Sequence, residues 1–210
     1  MVAIRAFASL ADKEKDEAEI VLRSFAKYAS VPIINMESAT AHPLQALADA
    51  ITIEEFRPKH KPKVILSWAP HPKALPHAVG NSFTQMMRHM DADFIIAHPE
   101  GYALNPKITK GIECTTNQEK ALEGADFVYT KNWSSYDHYG QILRTDDQWM
   151  ITPDKMELTN NGKFMHCLPI RRNIVAADGV LDSPSSLVIQ QSQNRIYSAQ
   201  AVLKQLLENG

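Results

Sequence analysis

The chain has few of the residues that build disulfide frameworks, zinc centres and dinucleotide sites. Its 210 residues include two cysteines, Cys114 and Cys167, which provide neither a disulfide framework nor paired metal-ligand spacing. The eight glycines form no Gly-x-Gly-x-x-Gly, the pattern that lets a backbone approach a pyrophosphate. We therefore expect no metal and no cofactor, and the sequence argues against a dinucleotide-dependent dehydrogenase.

Strong charge and long apolar segments are also lacking. A formal net charge of −2 gives no general attraction to nucleic acid or to anionic membranes. No apolar run approaches the ~20 residues of a membrane span, and the amino terminus lacks the apolar core of a signal peptide. We expect a cytoplasmic protein with neither a nucleic-acid partner nor a membrane partner.

What the sequence does contain is an alternation of strand and helix patterns. Apolar runs predict strands at 31–34, 64–67, 94–97, 127–130, 164–168 and 187–189. Apolar residues at helical spacing predict helices at 18–29, 43–51, 79–90 and 199–207. This order favours an α/β fold with a doubly wound parallel sheet. The proline-punctuated polar stretch 57–63 predicts a domain boundary.

The most informative segment begins at Met165 and reads Met-His-Cys-Leu-Pro-Ile-Arg-Arg-Asn. An apolar strand ends there at Pro169, and Arg171 and Arg172 follow. Ligands of open α/β sheets bind beyond the carboxyl ends of strands, and a guanidinium group can grip carboxylate or phosphate with two hydrogen bonds. Taken alone, the arginine pair is equally consistent with a surface salt bridge.

Four sequence blocks together resemble the aspartate/ornithine carbamoyltransferase family, and its acylornithine branch most closely. His-Cys-Leu-Pro before Arg-Arg-Asn resembles the family signature, and His42-Pro43-Leu44-Gln45 is similar to its His-Pro-x-Gln carbamoyl phosphate motif. The other two blocks cover 68–73 and 128–133, and all four stand in family order. The resemblance implies an ornithine-binding domain with a doubly wound parallel sheet, plus the tail of a carbamoyl phosphate domain.

The resemblance also suggests how the chain is organised. We expect a remnant of the carbamoyl phosphate domain with its crossover helix at 1–57, the acylornithine domain at 58–190, and a helix at 191–210 that returns to the first domain. The family's Ser-x-Arg-Thr motif does not occur, so we expect the carboxyl-terminal portion of a protein that is homotrimeric at full length. A missing layer should then leave Leu44, Leu47 and Val202 exposed.

By similarity, His42 and Gln45 would bind the carbamoyl group, together with Pro43 and Leu44 of the same motif. Their spacing places both donors on one face of a helix, near its positive end. Such donors can stabilise a developing oxyanion. Arg5 and Arg195 match phosphate-contacting arginines. From the residues alone, a locally packed histidine and solvated surface arginines remain open.

The resemblance also implies residues that bind the acylornithine. These are Glu37, His71, Lys131 and Arg171. Arg171 is also expected, with His42 and Gln45, to be a catalytic residue. The backbone carbonyls of Cys167 and Leu168 would hold the transferred amide or the attacking amine. Because neighbouring strand residues point to opposite faces, His166 and Cys167 are not expected to form a nucleophile–base pair.

The function implied is transfer of a carbamoyl group from carbamoyl phosphate to the δ-amine of N-succinyl- or N-acetyl-L-ornithine, in arginine biosynthesis. Ordinary ornithine carbamoyltransferases carry an aspartate near the position of Lys131, and a lysine there suits an acylated amine. The spacing of Glu37 from His42, together with Val175, favours the succinylated substrate. Ordinary ornithine carbamoyltransferase and an inactive truncated or regulatory paralogue remain the alternatives.

Overall fold

The computed structural model describes residues 1–208, which form a five-stranded parallel sheet and a separate pair of parallel strands. The pair consists of β1 (Val2–Arg5) and β2 (Ile33–Glu37). The larger sheet contains β3 (Lys63–Trp68), β4 (Asp93–Ala97), β5 (Glu113–Thr115), β6 (Phe127–Lys131) and β7 (Lys163–Met165). Its spatial order is β5-β4-β3-β6-β7. The chain therefore winds outward on one side of β3 and then on the other, which confirms the doubly wound α/β class.

Nine helices connect these strands within the described residues. They are α1 (Lys13–Ala18), α2 (Ile20–Tyr28), α3 (Pro43–Glu55), α4 (Ala78–Met87), α5 (Pro106–Thr109), α6 (Gln118–Leu122), α7 (Pro153–Glu157), α8 (Asp178–Leu181) and α9 (Val188–Glu208). Side chains of Asn105, Asn117 and Thr152 cap the short helices α5, α6 and α7 by accepting backbone N–H groups. Over residues 1–208, no helix is long and apolar enough to cross a membrane.

The core is built around the central strands and two tryptophans. Trp68 at the end of β3 is buried, and its indole N–H donates to the carbonyl of Trp133 at 2.9 Å. The indole of Trp133 in turn donates to the carbonyl of Tyr102 at 2.7 Å. Both large side chains are thus buried with their polar atoms satisfied, which fixes the chain segment that follows β6.

Helices α3 and α9 form an interface that is rich in buried hydrogen bonds. The Ser198 hydroxyl donates to the carbonyl of Leu44 at 2.7 Å, and the Asn194 amide donates to the Thr52 hydroxyl at 3.0 Å. Because α9 begins beside β7, where Leu187 N–H donates to the Phe164 carbonyl, it links the five-stranded sheet to α3.

Several expectations about the strands and about exposed apolar residues are wrong. Residues 187–189 are not a strand, since α9 begins at Val188, and a short apolar run does not by itself distinguish a strand from a helix. Leu44 is not exposed: it retains 8% of its accessible surface because α9 covers it. Leu47 and Val202, also expected to be exposed, are half-buried. The predicted strand 164–168 ends at Met165, and β5 was not predicted.

Gly140 allows a close approach between two loops. Its φ is +74°, and a Cβ added there would lie 2.0 Å from the carbonyl oxygen of Leu10. We expect Gly140→Ala to lower the free energy of unfolding by about 2–3 kcal/mol, through both backbone strain and this contact.

Gly124→Ala is the matched control, since Gly124 also has a positive φ but open space around its Cβ position. We expect it to cost about 1 kcal/mol. Urea unfolding of both variants measures the difference, and equal losses would contradict the close approach.

Candidate active site

A cleft of about 300 Å³ lies where the carboxyl ends of β3, β6 and β7 meet the start of α3. Ligands of doubly wound sheets bind at this kind of edge, where the strand order reverses. The predicted site residues that line the cleft are Arg5, Glu37, His42, Gln45, His71, Lys131, Cys167, Leu168 and Arg195. Residues separated by most of the chain are thus brought to one place.

Three predicted residues do not line this cleft. Pro43 occupies the first turn of α3, and Leu44 is buried against α9. Arg171 is exposed near the cleft, where its Nε donates to Nε2 of His71 at 3.3 Å. The structure places Pro43 and Leu44 as framework for the histidine and glutamine beside them.

His42 is a buried, neutral imidazole at neutral pH. Its side chain is almost fully covered, and burial lowers its pKa to about 3, helped by the charges of Arg195, Arg5 and Lys131. Its backbone N–H donates to the Ser82 hydroxyl at 2.7 Å, which fixes the start of α3. A neutral imidazole can donate one N–H without losing a charge, as oxyanion stabilisation requires.

Gln45 is held at both ends of its carboxamide. Its Nε2 donates to Asp49 Oδ1 at 2.7 Å, and its Oε1 accepts from Arg195 Nη1 at 2.6 Å. These two partners fix which end is oxygen and which is nitrogen, since Arg195 cannot accept a hydrogen bond. One N–H of Gln45 remains for a ligand.

Arg5 is engaged in an ion pair at the cleft wall. Its Nη2 donates to Glu37 Oε2 at 2.9 Å, and the same oxygen lies 3.6 Å from His42 Nε2. The guanidinium group also lies 4.6 Å from the ring centre of Phe7. A phosphate bound here would have to share Arg5 with Glu37, which the sequence did not indicate.

Lys131 supplies an unpaired positive charge. It ends β6, and within residues 1–208 its ammonium group makes no ion pair. Its charge contributes to lowering the pKa of His42, His71 and His166, after burial, which is the largest cause for each. The cleft is therefore an electrostatic environment that favours anions.

His71 is oriented by the same cluster. Its Nε2 accepts from Arg171, and its Nδ1 lies 2.9 Å from the carbonyl oxygen and 3.1 Å from the backbone nitrogen of Lys73. Burial lowers the pKa of His71, as do the charges of Lys131 and Arg171. A neutral His71 thus holds Arg171 beside the cleft.

The turn after β7 presents backbone carbonyls to the cleft. Buried His166 accepts the N–H of Leu168 on its Nδ1 at 2.9 Å, and the φ of Leu168 is +51°. The peptide bond from Leu168 to Pro169 is cis. In the described part of the chain, no N–H or hydroxyl donates to the Cys167 or Leu168 carbonyl, so both are available to a ligand.

Cys167 lacks the surroundings of a nucleophile. Burial raises the pKa of its thiol, although Lys131 pulls in the opposite direction. His166 is committed to Leu168 and cannot act as its base. The described contacts therefore provide no nucleophile–base pair of His166 and Cys167.

Sequence reasoning missed Asp49 and Gln191, which lie behind the cleft. Asp49 is buried and accepts from both Gln45 and Gln191. An acidic residue among apolar residues, one helical turn after Gln45, was the signal that could have identified it. Residues 1–208 contain no group of three or more His, Cys, Asp or Glu side chains placed to hold a metal ion.

Two profiles of one protein family match this chain. Residues 77–206 match the family profile "Aspartate/ornithine carbamoyltransferase, Asp/Orn binding domain", and residues 1–55 match the profile of the carbamoyl-P binding domain of the same family. The chain belongs to the aspartate/ornithine carbamoyltransferase family. The resemblance seen in the four sequence blocks is confirmed.

Individual members of this carbamoyltransferase family show the same likeness. The chain is 49% identical over its whole length to the N-succinylornithine carbamoyltransferase of Bacteroides fragilis (strain 638R), of which it covers 66%. It is 36% identical over 98% of its length to the N-acetylornithine carbamoyltransferase of Xanthomonas axonopodis pv. citri (strain 306), again covering 66%. The chain thus spans about two thirds of the length of these relatives.

A solved structure extends the comparison to three dimensions. An acetylornithine transcarbamylase complexed with acetylcitrulline superposes with a TM-score of 0.89 and 34% identity, over 98% of this chain and 68% of that one. Nearly the whole chain, with its doubly wound sheet and the helices α3 and α9, therefore has the same fold as part of that transcarbamylase.

Proposed function

We propose that this chain takes part in the transfer of a carbamoyl group from carbamoyl phosphate to the δ-amine of N-succinyl-L-ornithine, or of N-acetyl-L-ornithine. The products are N-acylcitrulline and phosphate, as in arginine biosynthesis. In this proposal the carbamoyl phosphate part comprises residues 1–57 and the acylornithine domain 58–190. The returning helix was expected at 191–210, of which residues 209 and 210 lie outside the described part of the chain. The full-length assembly is a cytoplasmic homotrimer.

The observation that carries the proposal is that several positively charged side chains surround the neutral imidazole of His42. Arg5, Lys131 and Arg195 line the cleft that contains His42, and Arg171 lies beside it. Glu37 is the one carboxylate among the lining residues, and it is paired with Arg5. Both proposed substrates are anions, so this excess of positive charge suits them.

The geometry supports a direct attack by the amine. The δ-nitrogen forms a bond to the carbamoyl carbon, the bond from that carbon to the phosphate oxygen breaks, and the amine proton passes to the departing phosphate. Neutral His42 and the free N–H of Gln45 donate to the carbamoyl oxygen as it gains charge. Arg195, held by Gln45, and Arg5 then contact the phosphate.

Lys131 and Arg171 are proposed to select an acylated substrate. An N-acylornithine carries an α-carboxylate and, when succinylated, a second one, whereas free ornithine carries a cationic α-amine. The unpaired ammonium of Lys131 attracts the former and repels the latter. The carbonyls of Cys167 and Leu168 accept the N–H groups of the amine or of the transferred amide.

A substrate panel tests the function. The chain is incubated with carbamoyl phosphate and one of three acceptors, N-succinylornithine, N-acetylornithine or ornithine, and product is quantified by mass spectrometry. We expect acylcitrulline from the acylated substrates, with the succinylated one preferred, and none from ornithine. Turnover of ornithine above that of both acylated substrates would contradict the assignment.

Replacing Lys131 should weaken acceptor binding. We expect Lys131→Gln to raise the dissociation constant for N-succinylornithine by about 10- to 100-fold, since a charge-assisted hydrogen bond is worth about 1.5–3 kcal/mol. Calorimetric titration measures the change. Lys73→Gln is the control, because it removes the same charge from a neighbouring loop whose lysine does not line the cleft. Equal losses in both variants would refute a direct contact of Lys131.

A further inference from the structure

Asp49 is a buried acid that stands behind the cleft without lining it. One percent of its surface is accessible, and it does not belong to the cleft wall. Its Oδ1 accepts two hydrogen bonds, from Gln45 Nε2 at 2.7 Å and from Gln191 Nε2 at 2.6 Å. One carboxylate oxygen therefore joins α3 to α9.

Each of these two glutamines makes a second hydrogen bond that connects Asp49 to a residue of the cleft wall, directly or through His166. Gln45 accepts from Arg195 on its other end at 2.6 Å. Gln191 accepts the backbone N–H of His166 on its Oε1 at 2.8 Å. His166 in turn accepts the N–H of Leu168, whose carbonyl is free for a ligand. Asp49 therefore connects Arg195, through Gln45, with the turn after β7, through Gln191.

We propose that Asp49 is a positioning residue for carbamoyl transfer: it fixes Gln45 and Arg195 on one side and the Cys167–Leu168 turn on the other. The inference rests on the proposed function of the cleft. Asp49 need not touch a substrate, because its effect is exerted through the two glutamines. A small displacement of Gln45 and Arg195, or of the Cys167–Leu168 carbonyls, would move the groups that bind the two substrates away from each other.

The surroundings of Asp49 make its charge sensitive to pH. Burial raises its pKa to about 7, while the hydrogen bonds from Gln191 and Gln45, the nearby Tyr129 hydroxyl and the charge of Arg195 oppose the rise. Tyr129 on β6 and Cys167 after β7 also face it, and burial raises the pKa of each, so both stay protonated at neutral pH. Above pH 7, ionised Asp49 would place a negative charge beneath an anion site.

Three variants separate positioning from mere stability. Asp49→Leu removes both acceptor bonds. Asp49→Asn keeps an oxygen that can accept from both glutamines but cannot ionise. Thr52→Val is the matched control, because Thr52 lies one turn further along the same buried helix face, bonds to α9 through Asn194, and has no hydrogen bond to Gln45.

We expect Asp49→Leu to lower kcat/KM for N-succinylornithine by about 100-fold, Asp49→Asn to recover most of that loss, and Thr52→Val to leave kcat and KM unchanged. The KM for carbamoyl phosphate should rise through pH 7 in the natural chain and stay level in Asp49→Asn. If Thr52→Val and Asp49→Leu lose activity in proportion to their loss of stability, the role is structural and the proposal is wrong.

A second readout does not depend on turnover. Hydrogen exchange of the Gln45 side-chain amide, followed by NMR, should be slow in the natural chain, in Asp49→Asn and in Thr52→Val, and fast in Asp49→Leu. Slow exchange in Asp49→Leu would overturn the positioning role. Absence of carbamoyl transfer together with the expected exchange pattern would instead refute the proposed function and leave the positioning of Gln45 intact.

Discussion

Replacing His42 with alanine is expected to reduce kcat for carbamoyl transfer to N-succinylornithine by about 10²- to 10³-fold, the typical cost of removing one donor to a developing oxyanion. The imidazole is buried at the cleft wall and anchored through its backbone to Ser82. Gln45 is the one side chain of α3 that lines the cleft, so within the described residues this helix offers no further donor to replace His42. Steady-state kinetics at saturating substrates measure the effect.

The pH profile distinguishes this role from general acid catalysis. Because the pKa of His42 is about 3, its imidazole stays neutral from pH 5 to pH 9 and contributes the same donor throughout. The loss in His42→Ala should therefore be constant over that range. A loss confined to very high pH, or one that follows a titration near pH 6.5, would contradict oxyanion stabilisation. His89→Ala is the control, because His89 is exposed and lies beyond the carboxyl end of α4, whereas the cleft-lining Val79 stands near the start of that helix.

Local patterns were sufficient to predict the central strands of the sheet, whereas the site residues were proposed from the resemblance to a known family. The strands β3, β4 and β6 are short apolar runs flanked by polar residues, and each was expected near its observed place. His42, Gln45 and Pro43 are neighbours in sequence, so helix geometry alone places the two donors near each other. Parallel strands then bring His71, Lys131 and Cys167 to the same edge, because each lies at or just beyond the carboxyl end of its strand.

What could not be predicted depends on contacts between distant residues. Gln191 and Asp49 are 142 positions apart, and their hydrogen bond depends on the packing of α9 against α3. The start of α9 was mistaken for a strand because residues 187–189 are apolar and β-branched in part, while their helical continuation is polar. The pairing of Glu37 with Arg5 depends on the register of β1 and β2, which neither strand specifies by itself.

Asp49→Asn is expected to stabilise the protein at and above neutral pH, by about 4 kcal/mol relative to the natural chain. The folded-state pKa of Asp49 is about 7 and that of an unfolded aspartate is 3.8. Between these values the folded protein retains a proton that the unfolded chain has lost, so this contribution to the free energy of unfolding falls as pH rises from about 4 to about 7. Three pKa units correspond to about 4 kcal/mol. Below pH 4 both states are protonated, and the advantage of asparagine disappears.

The quantity to be measured is the difference in free energy of unfolding between Asp49→Asn and the natural chain at each pH. Burial lowers the pKa of His42 and His166, so these groups destabilise both proteins as pH falls below 6.5. Their effect cancels when the variant is subtracted from the natural chain at each pH. Urea unfolding at intervals from pH 4.5 to pH 8.5 should show the difference growing and then levelling above pH 7, whereas Thr52→Val should show a constant loss. A difference between Asp49→Asn and the natural chain that does not change with pH would mean that the pKa of Asp49 is not raised on folding and that its carboxylate is ionised in the folded protein throughout this range.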